Sequence, residues 1–135
     1  MLEAKKILIA DDSDSIRSLL EMILTAESHE VTQVADGRDA LAHLKENTPD
    51  LIILDITMPF IDGLEVCSRI KRVSRLKATP VILLTAHTDD DTQKKANLVG
   101  ADVVVHKPLS GKNFRTTILE MLEKREFLKA KLTQA

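Results

Sequence analysis

Residues 7–12 read Ile7-Leu8-Ile9-Ala10-Asp11-Asp12. Four apolar residues in succession show no period-two alternation. A strand made of them is apolar on both faces, like the buried strand of a parallel sheet. Two aspartates end the run before it reaches helical length. The residues that follow have a different period. Ile16, Leu19, Leu20, Ile23 and Leu24 stand at i, i+3, i+4, i+7 and i+8, the apolar stripe of an amphipathic helix. A second short run at 31–34 comes next, so the first third of the chain reads strand, helix, strand.

The alternation continues. Runs rich in Ile, Val and Leu recur at 51–54, 81–84 and 103–105. Ala40, Leu41 and Leu44 form a short helical stripe; Leu64, Cys67, Ile70 and Val73 form another. Residues 89–99 carry a weaker one, and Phe114, Ile118, Met121 and Leu122 open a fifth. Thr48-Pro49-Asp50 stops the second helix. Pro59 and Gly63 bracket the loop before the third, and Gly100 stands where a left-handed cap closes the fourth. Five strand–helix repeats in about 120 residues predict an α/β fold, a parallel sheet with helices on both faces. Right-handed crossovers leave the open doubly wound sheet as the compact arrangement.

Composition narrows the function classes. The 135 residues are 44% apolar, enough for one core and inconsistent with disorder. Lys and Arg number 19 against 21 Asp and Glu, a net charge of −2. That balance argues against direct nucleic acid binding through a basic surface. No apolar run approaches the roughly 20 residues of a membrane span. The single Cys excludes an internal disulfide or a cysteine-built zinc site. The start, MLEAKKILIADD, is not a secretory signal, so a cytoplasmic protein is expected.

Ligands of such a sheet bind beyond the carboxyl ends of the strands, at the switch point of strand order. There the first strand ends in Asp11-Asp12, the third in Asp55, the fourth in Thr85 and the fifth in Lys107-Pro108. Alone, an aspartate at a strand end is more often a helix cap or turn former. Three converging carboxylates repel one another, and a hard divalent cation such as Mg²⁺ removes that cost. Lys107 adds a cation and Thr85 a hydroxyl donor. Metal, ammonium and hydroxyl around one carboxylate suit a phosphoryl group, whose transfer needs chiefly positioning and charge neutralisation.

The segments Ile7-Leu8-Ile9-Ala10-Asp11-Asp12, Leu54-Asp55-Ile56-Thr57-Met58-Pro59 with Asp62-Gly63, Leu84-Thr85-Ala86 and Val105-His106-Lys107-Pro108 resemble the receiver domain of two-component response regulators. The resemblance spans residues 4–124. It implies a flavodoxin-like five-stranded sheet of order 2-1-3-4-5, and Asp55 as the residue phosphorylated by a sensor histidine kinase or phosphotransfer protein. It implies that Asp12, Asp55 and the main-chain carbonyl of Thr57 bind Mg²⁺ directly, with Asp11 acting through water. Thr85 and Lys107 would contact the phosphoryl oxygens, and the Lys107-Pro108 bond would be cis. The domain would catalyse only its own phosphorylation and dephosphorylation, and would act on an output domain or target protein.

Some residues depart from that pattern or read more weakly. The family often has an aromatic three residues before the lysine; here Val104 stands there, so an aromatic switch on the fifth strand is not expected. Thr57 and His87 should rim the site and are candidates to modulate hydrolysis of the acyl phosphate, His87 because imidazole titrates near neutrality. His29 and His43 read as surface residues, Cys67 as a buried hydrophobe and Asp89-Asp90-Asp91 as a solvated helix start.

The C-terminal residues Phe114, Ile118, Met121, Arg125, Leu128 and Leu132 are spaced 4, 3, 4, 3 and 4, a heptad seam with one charged slot. We expect a receiver domain over 1–124 and, over 125–135, a helical extension that continues to about Lys131. The extension would serve as a connector to an output domain or as a weak homodimer contact. Two rival readings fit less well. A haloacid-dehalogenase phosphatase has its nucleophile first in the chain and a second Asp two residues later, where Thr57 stands here. A flavodoxin-like electron carrier would not place Asp11-Asp12-Ser13-Asp14 against a flavin phosphate.

Overall fold

A computed structural model of the chain describes residues 4–87, 89–107 and 109–134. Five strands, β1 (Lys6–Ala10), β2 (Glu30–Val34), β3 (Leu51–Asp55), β4 (Val81–Thr85) and β5 (Val103–His106), alternate with five helices. The helices are α1 (Asp14–Ala26), α2 (Gly37–Glu46), α3 (Gly63–Arg72), α4 (Asp90–Leu98) and α5 (Gly111–Gln134). All strand pairs are parallel. Their order is β2-β1-β3-β4-β5, so the doubly wound fold and its switch point between β1 and β3 are as expected.

The apolar runs form the middle of the sheet because both faces are covered. Leu8, Ala10, Ile52, Leu54 and Leu83 pack on one side with Leu44 of α2, Val66 and Ile70 of α3 and Ala96 of α4. The alternate residues Ile7, Ile9, Ile53, Ile82 and Leu84 pack on the other with Leu20 and Leu24 of α1 and Phe114 and Ile118 of α5. Every residue of β3 and β4 is buried, whereas the edge strands β2 and β5 are half-buried. Caps fix the helix starts. Ser13, Asp36, Asp62 and Asp89 each accept a main-chain N–H three residues on, ahead of α1, α2, α3 and α4. Gly100 closes α4 with φ +84°, as its position indicated.

Three details differ from the sequence reading. His29 is buried, not on the surface, because its Nδ1 accepts the Lys5 main-chain N–H at 3.1 Å; His43 is half-buried. Val73 leaves the apolar stripe of α3 and is 42% exposed, since α3 ends at Arg72; Val66 is buried there instead. α5 continues to Gln134, beyond Lys131.

That helix is fastened to the domain past Leu122. Lys124 Nζ lies 2.7 Å from Asp102, Arg125 Nη1 lies 3.5 Å from Asp50, and Glu126 receives Lys5 Nζ at 2.7 Å. The charged slot of the seam is thus spent on the chain's own body. Phe127 is 62% exposed with Lys131 over its ring, Leu128 is half-buried, and the Leu132 side chain lies outside the described residues. So does Pro108, and with it the expected cis bond. Among the described residues no helix is long and apolar enough to cross a membrane.

Candidate functional site

Register brings the acids together. Ala10 pairs with Leu54, so Asp11, one step on, stands level with Asp55. Asp55 pairs with Leu84, and Thr85 with His106, which places Thr85 and Lys107 one step further out across the same edge. One oxygen each from Asp11, Asp12 and Asp55 lies within 4.8 Å of the others. Asp11 is fully buried, Asp55 nearly so, and Asp12 exposed. Thr85 is buried; Thr57 and His87 are exposed beside it.

The electrostatics follow from this crowding. Burial, then the neighbouring Asp11 carboxylate, pushes the Asp55 carboxyl above its ordinary value; Lys107 and the Thr57 main-chain N–H oppose them. Lys107 Nζ sits 3.1 Å from Asp11 Oδ2 and 3.4 Å from Asp55 Oδ2. Burial works against its charge, but the two carboxylates outweigh burial and hold its pKa above the usual lysine value. Asp11 Oδ1 accepts the Ser13 main-chain N–H at 2.9 Å. Its buried Oδ2 has the ion pair with Lys107 but no aligned hydrogen-bond donor. Lys107 is the cation that the described residues bring onto these carboxylates. Hard oxygen donors with an underused buried oxygen fit a small divalent cation such as Mg²⁺.

The loop from Asp55 to α3 is held closely. Ile56 N–H donates to the Leu84 carbonyl, and Gly63 N–H to the Ile56 carbonyl at 2.8 Å. A Cβ on Gly63 would stand 2.3 Å from the Asp55 carbonyl oxygen, so only glycine lets α3 start this near the nucleophile candidate. On the β4 side, Thr85 Oγ1 accepts the His87 N–H at 2.9 Å. The Lys107 N–H donates to the Thr85 carbonyl at 2.8 Å, joining the hydroxyl and the ammonium through one short stretch of backbone. Val104 packs partly buried against the core.

Reading the sequence missed Ser13 and Arg17. Ser13 caps α1 and orients Asp11 with its N–H. Arg17 donates to the Asp11 main-chain oxygen and pairs with Asp14. The serine just before an apolar helical stripe was the available signal; nothing local marked the arginine.

Known proteins resemble this chain in sequence and fold. The family model described as the response regulator receiver domain matches residues 7–119. The transcriptional regulatory protein AfsQ1 of Streptomyces coelicolor is 43% identical over 120 residues, covering 89% of this chain and 52% of its own length. Protein PilG of Pseudomonas aeruginosa is 38% identical over 105 residues, 78% of each chain. The chemotaxis response regulator CheY4 of Vibrio cholerae superposes with a TM-score of 0.83 at 33% identity, over 88% of this chain and 99% of that one. The chain spans about half the length of the transcriptional regulators it matches. A match across residues 7–119, over the same fold, means that this chain belongs to the response regulator receiver domains, the switch modules of two-component signalling.

Proposed function

We propose that Asp55 accepts a phosphoryl group from a phosphohistidine on a sensor histidine kinase or phosphotransfer protein, and that the acyl phosphate switches a partner surface. The observation that carries this reading is the set of three carboxylates within 4.8 Å, with one lysine 3.4 Å from Asp55. An Asp55 carboxylate oxygen attacks phosphorus. The phosphorus–nitrogen bond breaks, and its electron pair leaves with the imidazole, which takes a proton from solvent. Asp12, Asp55 and the Thr57 carbonyl would hold Mg²⁺ directly and Asp11 through water; when bound, the ion neutralises charge on the phosphoryl oxygens.

Lys107 already spans Asp11 and Asp55, so it meets the incoming oxygens with little rearrangement. Thr85 accepts from the His87 N–H yet keeps its own hydroxyl proton to give. Phosphorylation therefore adds a hydrogen bond at Thr85 and a stronger ion pair at Lys107. These differential contacts bias the loop after β4. Thr57 and His87, both exposed at this rim, modulate the approach of the hydrolytic water. Residues 125–135 extend the receiver as a helical connector to an output domain, or as a weak contact with a second copy. The domain works in the cytoplasm on this reading.

Incubation with Mg²⁺ and acetyl phosphate tests it. Intact mass should rise by one phosphoryl group in the wild type and stay unchanged in Asp55→Asn. Equal labelling of the asparagine variant overturns the assignment. Decay of the label should differ between wild type and His87→Ala; equal decay removes the role given to His87.

A further inference from the structure

A depression lies between α2 and α3, beside the entry to β3 rather than its acidic exit. Leu44, Ile70 and Leu76 form its buried floor, with Leu41 half-buried and Val73 42% exposed at the mouth. Its volume of about 260 Å³ admits aliphatic side chains but falls below the roughly 300–1,000 Å³ of small-molecule sites. The charged residues lining it are Lys45, Arg69 and Arg75, all cationic, in a chain whose net charge is −2.

These cations are placed, not merely present. Arg75 Nη1 donates to the Asn47 carbonyl at 3.0 Å and Thr48 Oγ1 at 2.6 Å, and its Nη2 to the Leu44 carbonyl. Its acceptors are neutral, so the guanidinium is fixed, and it has no carboxylate partner among the described residues. The fork has five N–H groups, and two remain for an incoming carboxylate. Lys45 has no carboxylate partner among the described residues. Arg69 shares its charge with Glu65 at 2.9 Å, both half exposed.

We propose that this groove docks an acidic amphipathic segment of a protein partner, with apolar side chains on the floor and carboxylates on Lys45, Arg69 and Arg75. The alternatives fit the same residues less well. No aromatic ring lines the groove for base stacking, and Val73 alone projects from it for a bilayer to bury. An acidic helix meets both the apolar floor and the all-cationic rim.

The test is titration of the full ¹⁵N-labelled chain with a synthetic peptide. The peptide carries Leu at i, i+3, i+4 and i+7 and Glu elsewhere. Amide shifts should be confined to residues 41–47 and 69–76, with a Kd of about 1 mM or tighter. The double variant Lys45→Glu with Arg69→Gln changes exposed side chains only and should bind at least about tenfold more weakly. Val73→Ser should also weaken binding. Absence of saturable binding, shifts centred elsewhere, or unchanged affinity in the double variant overturns the proposal. So does tighter occupancy of the groove by a mixed-sequence oligonucleotide or by anionic phospholipid vesicles, which are titrated in parallel.

Discussion

Asp55 is held in a state that its own side chain does not favour. Its carboxylate is nearly buried and shares a lysine with Asp11, which is fully buried. Burial and Asp11 raise its pKa in the folded chain above the unfolded value. The folded state then binds more protons than the unfolded state between those two values, so stability falls as pH rises through the folded pKa. Asp55→Asn removes the charge, keeps the shape, and should raise unfolding stability by roughly 1–2 kcal/mol in the absence of divalent ions. Urea denaturation at neutral pH measures it, and the gain should shrink as pH falls through the folded pKa toward the unfolded one. Adding Mg²⁺ should stabilise the wild type by mass action and the variant less. A destabilised asparagine variant means that Lys107 outweighs the repulsion and that the site carries no stored electrostatic cost.

The β3–α3 loop works as a template for Asp55, and its control lies in backbone approach. Gly63 leaves no room for a Cβ beside the Asp55 carbonyl, and a Cβ on Gly37 would stand 2.1 Å from the Ile61 carbonyl oxygen. Between them Phe60 takes φ +70° with the Arg38 guanidinium 3.4 Å over its ring, a conformation that bulky residues rarely adopt. Gly63→Ala should cost about 2 kcal/mol in urea unfolding and slow phosphorylation of Asp55 by acetyl phosphate, because the strand end itself must shift. Gly63 was readable as the bracket of a loop, whereas nothing near Gly37 in the sequence marks its close approach; its partner, Ile61, is 24 positions away. The same distance problem hid the far end of the sheet. There Asp102 accepts Lys71 Nζ at 3.0 Å, Lys124 Nζ at 2.7 Å and the Val81 N–H at 2.8 Å, tying α3, β4, the start of β5 and α5. Burial raises the Asp102 pKa, but Lys124, Val81 and Lys71 together overcome it and hold it below the ordinary value. The stability it supplies is present above the unfolded carboxylate pKa and lost as pH falls through the folded one. Asp102→Asn should cost about 2–3 kcal/mol at neutral pH, and the variant should lose less stability than the wild type on acidification.

Across the whole molecule, what was legible in the sequence is what depends on local period and on position along a strand. The apolar runs gave the strands, the helical stripes gave the layers, and strand ends carried Asp11, Asp55, Thr85 and Lys107 to one edge once the sheet was parallel. Contacts between distant segments were not legible, because nothing in Lys5, Asp50 or Asp102 announces its partner. The last three turns of α5 show the difference. The heptad seam suggested that the helix leaves the domain near Lys124, yet Lys124, Arg125 and Glu126 each pair with the base of a different strand. The part of the helix past the three clamps therefore begins at Phe127 and runs to Gln134, about 12 Å of helix. That is about two turns, too few for a stable isolated pair. The segment also holds Lys129 and Lys131 and no acid, so parallel pairing sets like charges side by side. Self-association should be weak in low salt and should strengthen as salt screens those lysines, the reverse of a contact built on ion pairs. Sedimentation equilibrium at two ionic strengths measures this on the intact chain and on one ending at Glu126, which keeps all three clamps. Association that weakens with salt, or persists in the shorter chain, places the contact elsewhere, with the α4–β5 face and its 86% exposed Leu98 the next surface to test.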